Sequence, residues 1–494
     1  MVTASLEPIP DRSFGFAEAQ HLLLRAGFGG SARQIQALAT LGPEAAVDGL
    51  VDFEAADDPH DPPEIDPDIM KPLTPEQRRE VYRARQRGDE AVLARYRQMR
   101  NKAQASDRRQ LRDLQQWWVR RMIRTTRPLQ EKLVLLWHGH FATHYRGCED
   151  AYLLYRQNQL FRTHAAGNFG ALVQGIVRDP AMLVFLNNDR NRKGQPNENL
   201  ARELMELFTL GEGQYRETDI HEAARALTGY TRHDNDFVFR QAWHDTGTKH
   251  IFGVRGGFDG DDLAKLCLAR PGCADFVAYK LYRCFVTDVA EPTALDDVQL
   301  RVVRAMARQL RAEKYELRPV LRTLFRSRHF YDPANRAAKI KGPLELLVGL
   351  VRTLETPTRD ARVLAGALRR MGQEPFNPPN VAGWPGGRSW INTATLFVRQ
   401  NLATYLVTGR PPFGHGWSRE KINYDATKLI ARLAQPRPAE VVAHLAQLLL
   451  GAAATGHRRE QLEKFLADHR NRITNDSVIA LVCLITAMPE YQLC

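Results

Sequence analysis

Three stretches of this sequence space polar side chains in ways that could do chemistry. The first is "NENLARELMELFTLGEG", residues 197–213. Leu200, Leu204, Leu207 and Phe208 recur at helical intervals, which predicts a helix with a buried apolar stripe. Its other face carries Asn199, Arg202, Glu203 and Glu206. Arg202 and Glu206 stand at i,i+4, as do Asn199 and Glu203. Glu203 and Glu206 stand at i,i+3, the spacing with which bundle helices present two ligands inward. Di-iron bundles use Glu-x-x-His and this is Glu-x-x-Glu, so an exposed helix with an Arg–Glu pair is the competing expectation. Asn197, after Pro196, is the expected N-cap.

The second stretch is "PLQEKLVLLWHGHFATHY", residues 128–145. Pro128 and Glu131 suit the first turn of a helix. Leu129, Leu133, Leu136, Trp137, His140 and His144 are then predicted to share one face, with His138 opposite. His140 and His144, at i,i+4, could both reach one metal ion. Core histidines that bond backbone carbonyls would account for the same residues. The third stretch is "WHDTGTKHIFG", residues 243–253. A His244–Asp245 pair can ligate a metal or orient a general base, with Lys249 and His250 close by. Asp-Thr-Gly is equally a plain turn. Beside these, the Pro/Gly-rich loop "NPPNVAGWPGGRSWIN", residues 377–392, places Trp384 and Trp390 either in a pocket wall or as plugs of the core beneath.

The elements that must position these groups are mostly helical. "SFGFAEAQHLLLRAGFGG" reads as a helix begun at Ser13 and stopped by Gly29-Gly30, and "SARQIQALATLG" as its successor. "DDPHDPPEIDPDIMKPLTP" is an irregular connector. Residues 74–127 predict two long, half-polar helices broken near Gly88 and again near Ser106, with Leu111, Leu114, Trp118 and Met122 at helical spacing. "TDIHEAARALTGY" is framed by Thr218 and Gly229 and packs through Ala223 and Ala224. Alternation at Phe237 and Phe239 predicts one short hairpin near 236–253. The expected architecture is all-α: a multi-helix, bundle-like body with one small β-hairpin insertion and a long helical arm. Four segments follow: 1–70, helical; 71–127, the charged arm; 128–410, the main body with the polar site; and 411–494, helical.

Bulk properties bound the function. The chain has 494 residues, 44% hydrophobic and 26% charged, enough for a well-buried core. Its net charge of +12 favours anionic partners. No finger, knuckle or stacking platform accompanies that charge, so nucleic acid is not the expected partner. The six cysteines, at 148, 267, 273, 284, 483 and 494, form no CxxC pair and read as small core residues. The first twenty residues lack the basic and apolar regions of a signal peptide, and no apolar run approaches the roughly 18 residues of a membrane span. A cytoplasmic location is the expectation.

"HLLLRAGFG", "PLQEKLVLLWHGHF", "QNQLFRTHAAGNF", "DPAMLVFLN", "NENLARELMELFTLGEGQY", "TDIHEAARALTGY", "HDTGTKHIFG" and "NPPNVAGWPGGRSWINTATL" follow one another along nearly the whole chain. In these pieces the sequence resembles the bacterial family known as domain of unknown function 1800. The resemblance implies no reaction. It implies exported relatives with leader sequences, and a sulfatase-like working partner from a second family, domain of unknown function 1501. It also implies a shared polar set: His138, His140, Arg162, His164, Asn197, Glu198, Asn199, Arg202, Glu203, Glu206, His244, Asp245, Lys249, Trp384 and Trp390. His144 falls outside that pattern, which weakens the His140–His144 metal pair.

Two functions are compatible with these residues. In the first, the protein is an enzyme, hydrolytic or oxidative. Glu203 and His244 are catalytic, and His138, His140, Glu203, Glu206, His244 and Asp245 supply ligands for a divalent transition metal, since histidine and carboxylates mix. Asn199, Arg202, Lys249, Trp384 and Trp390 then hold the ligand. In the second, the protein is a non-catalytic assembly module that works with the sulfatase-like partner, and the polar set is an internal ion network that fixes helix packing.

Overall fold

Periodicity near 3.6 residues is realised almost everywhere in the fold. The computed structural model describes residues 5–58, 60–412, 414, 416–433, 436–452 and 454–494. These residues form twenty-two α-helices and two small antiparallel sheets of two strands each, so the all-α expectation holds. One cluster of buried apolar side chains runs from Ile9 to Tyr491 and draws on all four expected segments. No helix among the described residues is long and apolar enough to cross a membrane.

The Pro128–His140 helix lies at the centre of the site. Leu129, Leu133, Val134 and Trp137 are fully buried, and so are the polar Glu131 and Lys132 to within 3%. A helix apolar on most sides must be surrounded, and this one packs on the Ala151–Thr163 helix. Charge is admitted only where it is paired. The Glu131 carboxylate accepts hydrogen bonds from Trp118 Nε1 at 2.8 Å, Arg121 Nε at 2.6 Å, and Arg162 Nε and Nη2 at 2.7 and 3.0 Å. Arg121 continues the chain of ion pairs to Asp58 at 2.7 Å. Burial alone would raise the Glu131 pKa, but the two guanidinium groups overcome it and hold the carboxyl at about 2.

The backbone leaves this helix at Phe141, whose ring joins those of Phe161, Phe169 and Phe208. His144 therefore does not sit one turn beyond His140. It caps the next short turn instead, its Nδ1 accepting from the Gly147 N–H at 3.0 Å. The expected i,i+4 histidine pair does not form.

The arm is two antiparallel helices, Pro75–Arg87 and Glu90–Arg124, joined at Gly88 with φ of +65°. Arg95 and Tyr96 on the second both reach Glu80 on the first, at 2.7 and 2.6 Å. The expected break near Ser106 does not occur. A single serine among helix formers costs little, and the far half of the helix is anchored by Leu111, Leu114, Trp118 and Met122, all buried.

Two further expectations are corrected. The opening stretch starts as the Asn199–Glu203 helix, where Asn197 Oδ1 accepts the Asn199 N–H at 3.0 Å. It then widens into a π-helical turn, Leu204–Thr209, with the Leu210 N–H on the Met205 carbonyl. The extra residue per turn rotates the stripe, so Met205 and Thr209 are buried while Leu207 is partly exposed. The β insertion holds two hairpins rather than one. Tyr230–His233 pairs with Asp236–Phe239 in the register Tyr230↔Phe239, and Lys249–Ile251 pairs with Val254–Gly256. The first strand starts directly after Gly229, ahead of the visible alternation.

Candidate functional site

The Pro271–Phe285 helix carries Phe276, Lys280, Arg283 and Cys284 at i, i+4, i+7 and i+8, which is one face. Across a cleft of about 180 Å³ lie Lys132, Leu136, Gly139 and His140 of the Pro128–His140 helix. The segment from Lys339 to Glu345 forms a third wall, and the loop from Ala382 to Trp390 the fourth.

The loop closes on the central helix because glycine permits it. Gly383 has φ of +79°, and a Cβ there would stand 2.0 Å from the Gly139 carbonyl oxygen. That contact brings Trp384 beside the helix, with its ring 5.4 Å from that of His138 in an edge-on arrangement. On the other side the Arg283 guanidinium donates to the Pro385 carbonyl. Trp390 is 7% exposed and its carbonyl accepts from Thr395 Oγ1 at 2.9 Å, which ties the loop to the Thr393–Thr408 helix.

Four cations, Lys132, Lys280, Arg283 and Lys339, line the cleft with two carboxylates, Asp288 and Glu345. Lys132 is paired with Glu345. Lys339 Nζ lies 3.3 Å from Asp288 Oδ1 and donates to the Arg283 carbonyl at 3.1 Å. Asp288 Oδ2 also accepts the Ile340 N–H at 2.9 Å. The Glu345 carboxyl is brought to about 2: burial opposes ionisation, but Lys132 and Lys339 outweigh it. Both carboxylates are thus occupied, and an excess of two positive charges remains. Lys280 has no acid partner among the described residues; its amine lies 4.8 Å from the Phe276 ring centre. Burial, then the charge of Arg283, lowers its pKa to about 8.

Two side chains that line this cleft each hold a buried nitrogen with no hydrogen-bond partner among the described residues: His140 Nδ1 and Trp384 Nε1. His140 Nε2 lies 2.9 Å from the Phe208 carbonyl, so the proton is assigned to Nε2 and Nδ1 is left as an acceptor. Burial and then Lys280 lower the His140 pKa to about 3, which keeps the ring neutral. The cleft therefore offers the Lys280 ammonium and aromatic walls, with the unpartnered indole and imidazole nitrogens buried behind its surface. Buried polar groups are almost always satisfied, and these two unpartnered nitrogens belong to side chains of the same cleft.

The structure divides the sequence-predicted residues among separate places. His140, Trp384 and Trp390 line the cleft. His138, held neutral near 3 by burial, accepts the Phe376 N–H at 3.0 Å and supports Trp384 from beneath. His138 and His140 differ by two residues, which turns the rings to opposite sides of the helix. Asn199 is exposed. Arg202 holds Glu217 with bonds of 3.0 and 2.8 Å and stands 3.4 Å from Glu198, which also meets His221. Glu206 accepts from the Tyr215 hydroxyl at 2.5 Å. Glu203 is partly buried, and burial and then Glu206 raise its pKa.

The hairpin residues satisfy one another. His244 is buried with Nδ1 2.8 Å from the Thr228 carbonyl. Asp245 accepts from Arg225 at 2.8 and 3.1 Å and from the Gly247 N–H at 2.8 Å. The hydrogen bonds from Arg225 bring its carboxyl to about 2. Lys249, fully buried, donates to the carbonyls of Asp245 and Gly247. This arrangement locks the turn to the Glu217–Ala226 helix, the plain-turn alternative. The metal set expected from the sequence does not converge: among the described residues no group of three or more His, Cys, Asp or Glu is placed to hold a metal ion.

Lys132, Lys280, Arg283, Asp288, Lys339 and Glu345 were not singled out from the sequence. A signal existed in "FVAYKLYRCF", where two cations at i,i+3 interrupt an apolar helix, and in "KIKGPLE". The chain matches no curated protein and no solved structure. The model of one family, described as "Protein of unknown function (DUF1800)", matches residues 21–493, nearly the full length, and the chain belongs to that family.

Proposed function

We propose that the protein binds a small anionic molecule in the cleft between the Pro128–His140 helix, the Pro271–Phe285 helix and the Trp384 loop. The observation that carries this reading is the cation excess around Lys280, which no carboxylate offsets, set beside the orphaned Trp384 Nε1 and His140 Nδ1. Lys280 and Arg283 would meet the charge, Trp384 Nε1 would donate to an oxygen, and His140 Nδ1 would accept from a ligand hydroxyl. Trp384 and Trp390 keep the ligand-binding role expected of them. Glu203 and His244 are not needed for this binding, and no metal held by them enters the reading. The hydrogen bonds of Arg202, Asp245 and Lys249 favour a packing role for those residues.

The test is thermal unfolding in phosphate, sulfate or small carboxylates against chloride at matched ionic strength. Sulfate is included because a sulfatase-like partner, implied by the sequence resemblance, would release it. A bound anion stabilises the fold by about 2.7 kcal/mol at a hundredfold excess over its Kd. The expected result is an anion-specific rise in Tm that Lys280→Met removes. Equal Tm in all salts would refute the reading.

A further inference from the structure

We propose that Lys280 is a reactive amine that condenses with the carbonyl carbon of a small carbonyl compound bearing a carboxylate. This rests on the anion-binding reading of the same cleft. Of the cleft's three lysines, Lys132 and Lys339 are tied to Glu345 and Asp288, each by an ion pair. Lys280 alone has no such tie, and its neighbours are an aromatic ring, Phe276, and a second cation, Arg283, one helical turn away. Lysines used only as charges are compact, strongly hydrated and normally paired. A lysine desolvated beside another cation gives up its proton readily and becomes a nucleophile. The downward shift to about 8 agrees with this placement.

The class of substrate follows from the walls. Arg283, beside the amine, is a planar partner for a carboxylate, and a cleft of about 180 Å³ admits only a short chain. In the step, the free amine nitrogen attacks the carbonyl carbon and a C–N bond forms. Two protons from nitrogen pass to the carbonyl oxygen, the C–O bond breaks and water leaves. Free amine plus carbonyl gives neutral imine plus water, and the imine then takes back the proton that the ammonium had given to solvent, so charge and atoms balance and no oxidant or reductant takes part.

The full chain is incubated at pH 8 with pyruvate, or with acetone as a neutral control, together with cyanoborohydride, and adducts are mapped by peptide mass. An ordinary lysine with a pKa of about 10.4 has less than about 1% free amine at that pH. The expected result is a pyruvate adduct on Lys280 at least about tenfold above any exposed lysine. Phosphate should suppress it, acetone should give little, and Lys280→Arg should lack it. Adducts spread evenly over surface lysines would overturn the proposal. The phosphate-dependent Tm of the unmodified chain is read in parallel. A Tm rise without a Lys280 adduct overturns the amine chemistry and leaves anion binding standing; no Tm rise and no adduct overturns both.

Discussion

Glu131 and Lys280 show how the partners of a desolvated charge decide its ionisation. Glu131 has no exposure and four N–H donors, whereas Lys280 faces a cleft with no acid to pair it. Replacing Glu131 by Gln leaves the Arg162 guanidinium without its carboxylate and Arg121 with Asp58 alone, and removing one partner of a buried pair costs about 3–5 kcal/mol. Urea unfolding at pH 7 should show that loss. Because the folded pKa, about 2, lies below the unfolded value, the advantage of Glu131 is present above pH 4.5 and shrinks as pH falls towards 2. Lys280 predicts a different window. Its protonated form dominates below about 8, so anion affinity should be level there and fall with rising pH above it. A calorimetric titration of sulfate, which stays a dianion across pH 6.5–9.5, checks this; a level affinity across that span would remove Lys280 from the site. His140, Trp384 and Trp390 could be picked out of the sequence because aromatic and imidazole groups are rare in loops and helix ends. Lys280 could not, since a lysine's worth depends on which acids lie near it in space.

At the scale of elements, the cleft exists because a loop and a helix approach at two glycines. Gly383→Ala places a methyl group 2.0 Å from the Gly139 oxygen and forces an alanine to positive φ. It should destabilise the protein by more than about 1 kcal/mol and weaken the phosphate-dependent Tm rise, whereas Gly366→Ala, on a helix with open space around it, should do neither. The same pair of variants would contradict the account if phosphate binding were untouched by Gly383→Ala. Local pattern revealed the helices here but not their defects. The Leu204–Thr209 turn has ordinary helix-forming residues, and its π geometry depends on the packing of Met205 and Phe208. The continuation through Ser106 likewise depends on tertiary anchoring. Gly383 looked like a loop glycine; its close approach to Gly139 joins residues far apart in sequence.

The whole molecule shares one core, and its buried titratable groups set how stability follows pH. His21, His138 and His140 are held neutral, each mainly by burial. Their unfolded counterparts take up protons below about 6.5, so they make stability rise with pH towards that value. Asp107 and Asp179, raised to about 6 by burial, act in the opposite sense between about 4 and 6. Asp150, also raised by burial, acts with the two aspartates, while Glu131 and Glu345, held at about 2, act with the three histidines; the balance predicts a Tm that climbs from pH 4 to pH 6.5, measurable by calorimetry, and a Tm maximum near pH 4 would contradict it. The overall all-α class was readable because helical period is a local signal repeated along the chain, whereas the site was not, because its walls come from residues 132–140, 280–288, 339–345 and 382–390. In the proposed function an anion sits among Lys280, Arg283 and Trp384. Anomalous diffraction from crystals grown with tungstate locates such an anion directly. A tungsten peak is expected in the cleft, in contact with Lys280, and should disappear in Lys280→Met; an unoccupied cleft with tungstate bound elsewhere would contradict anion binding there.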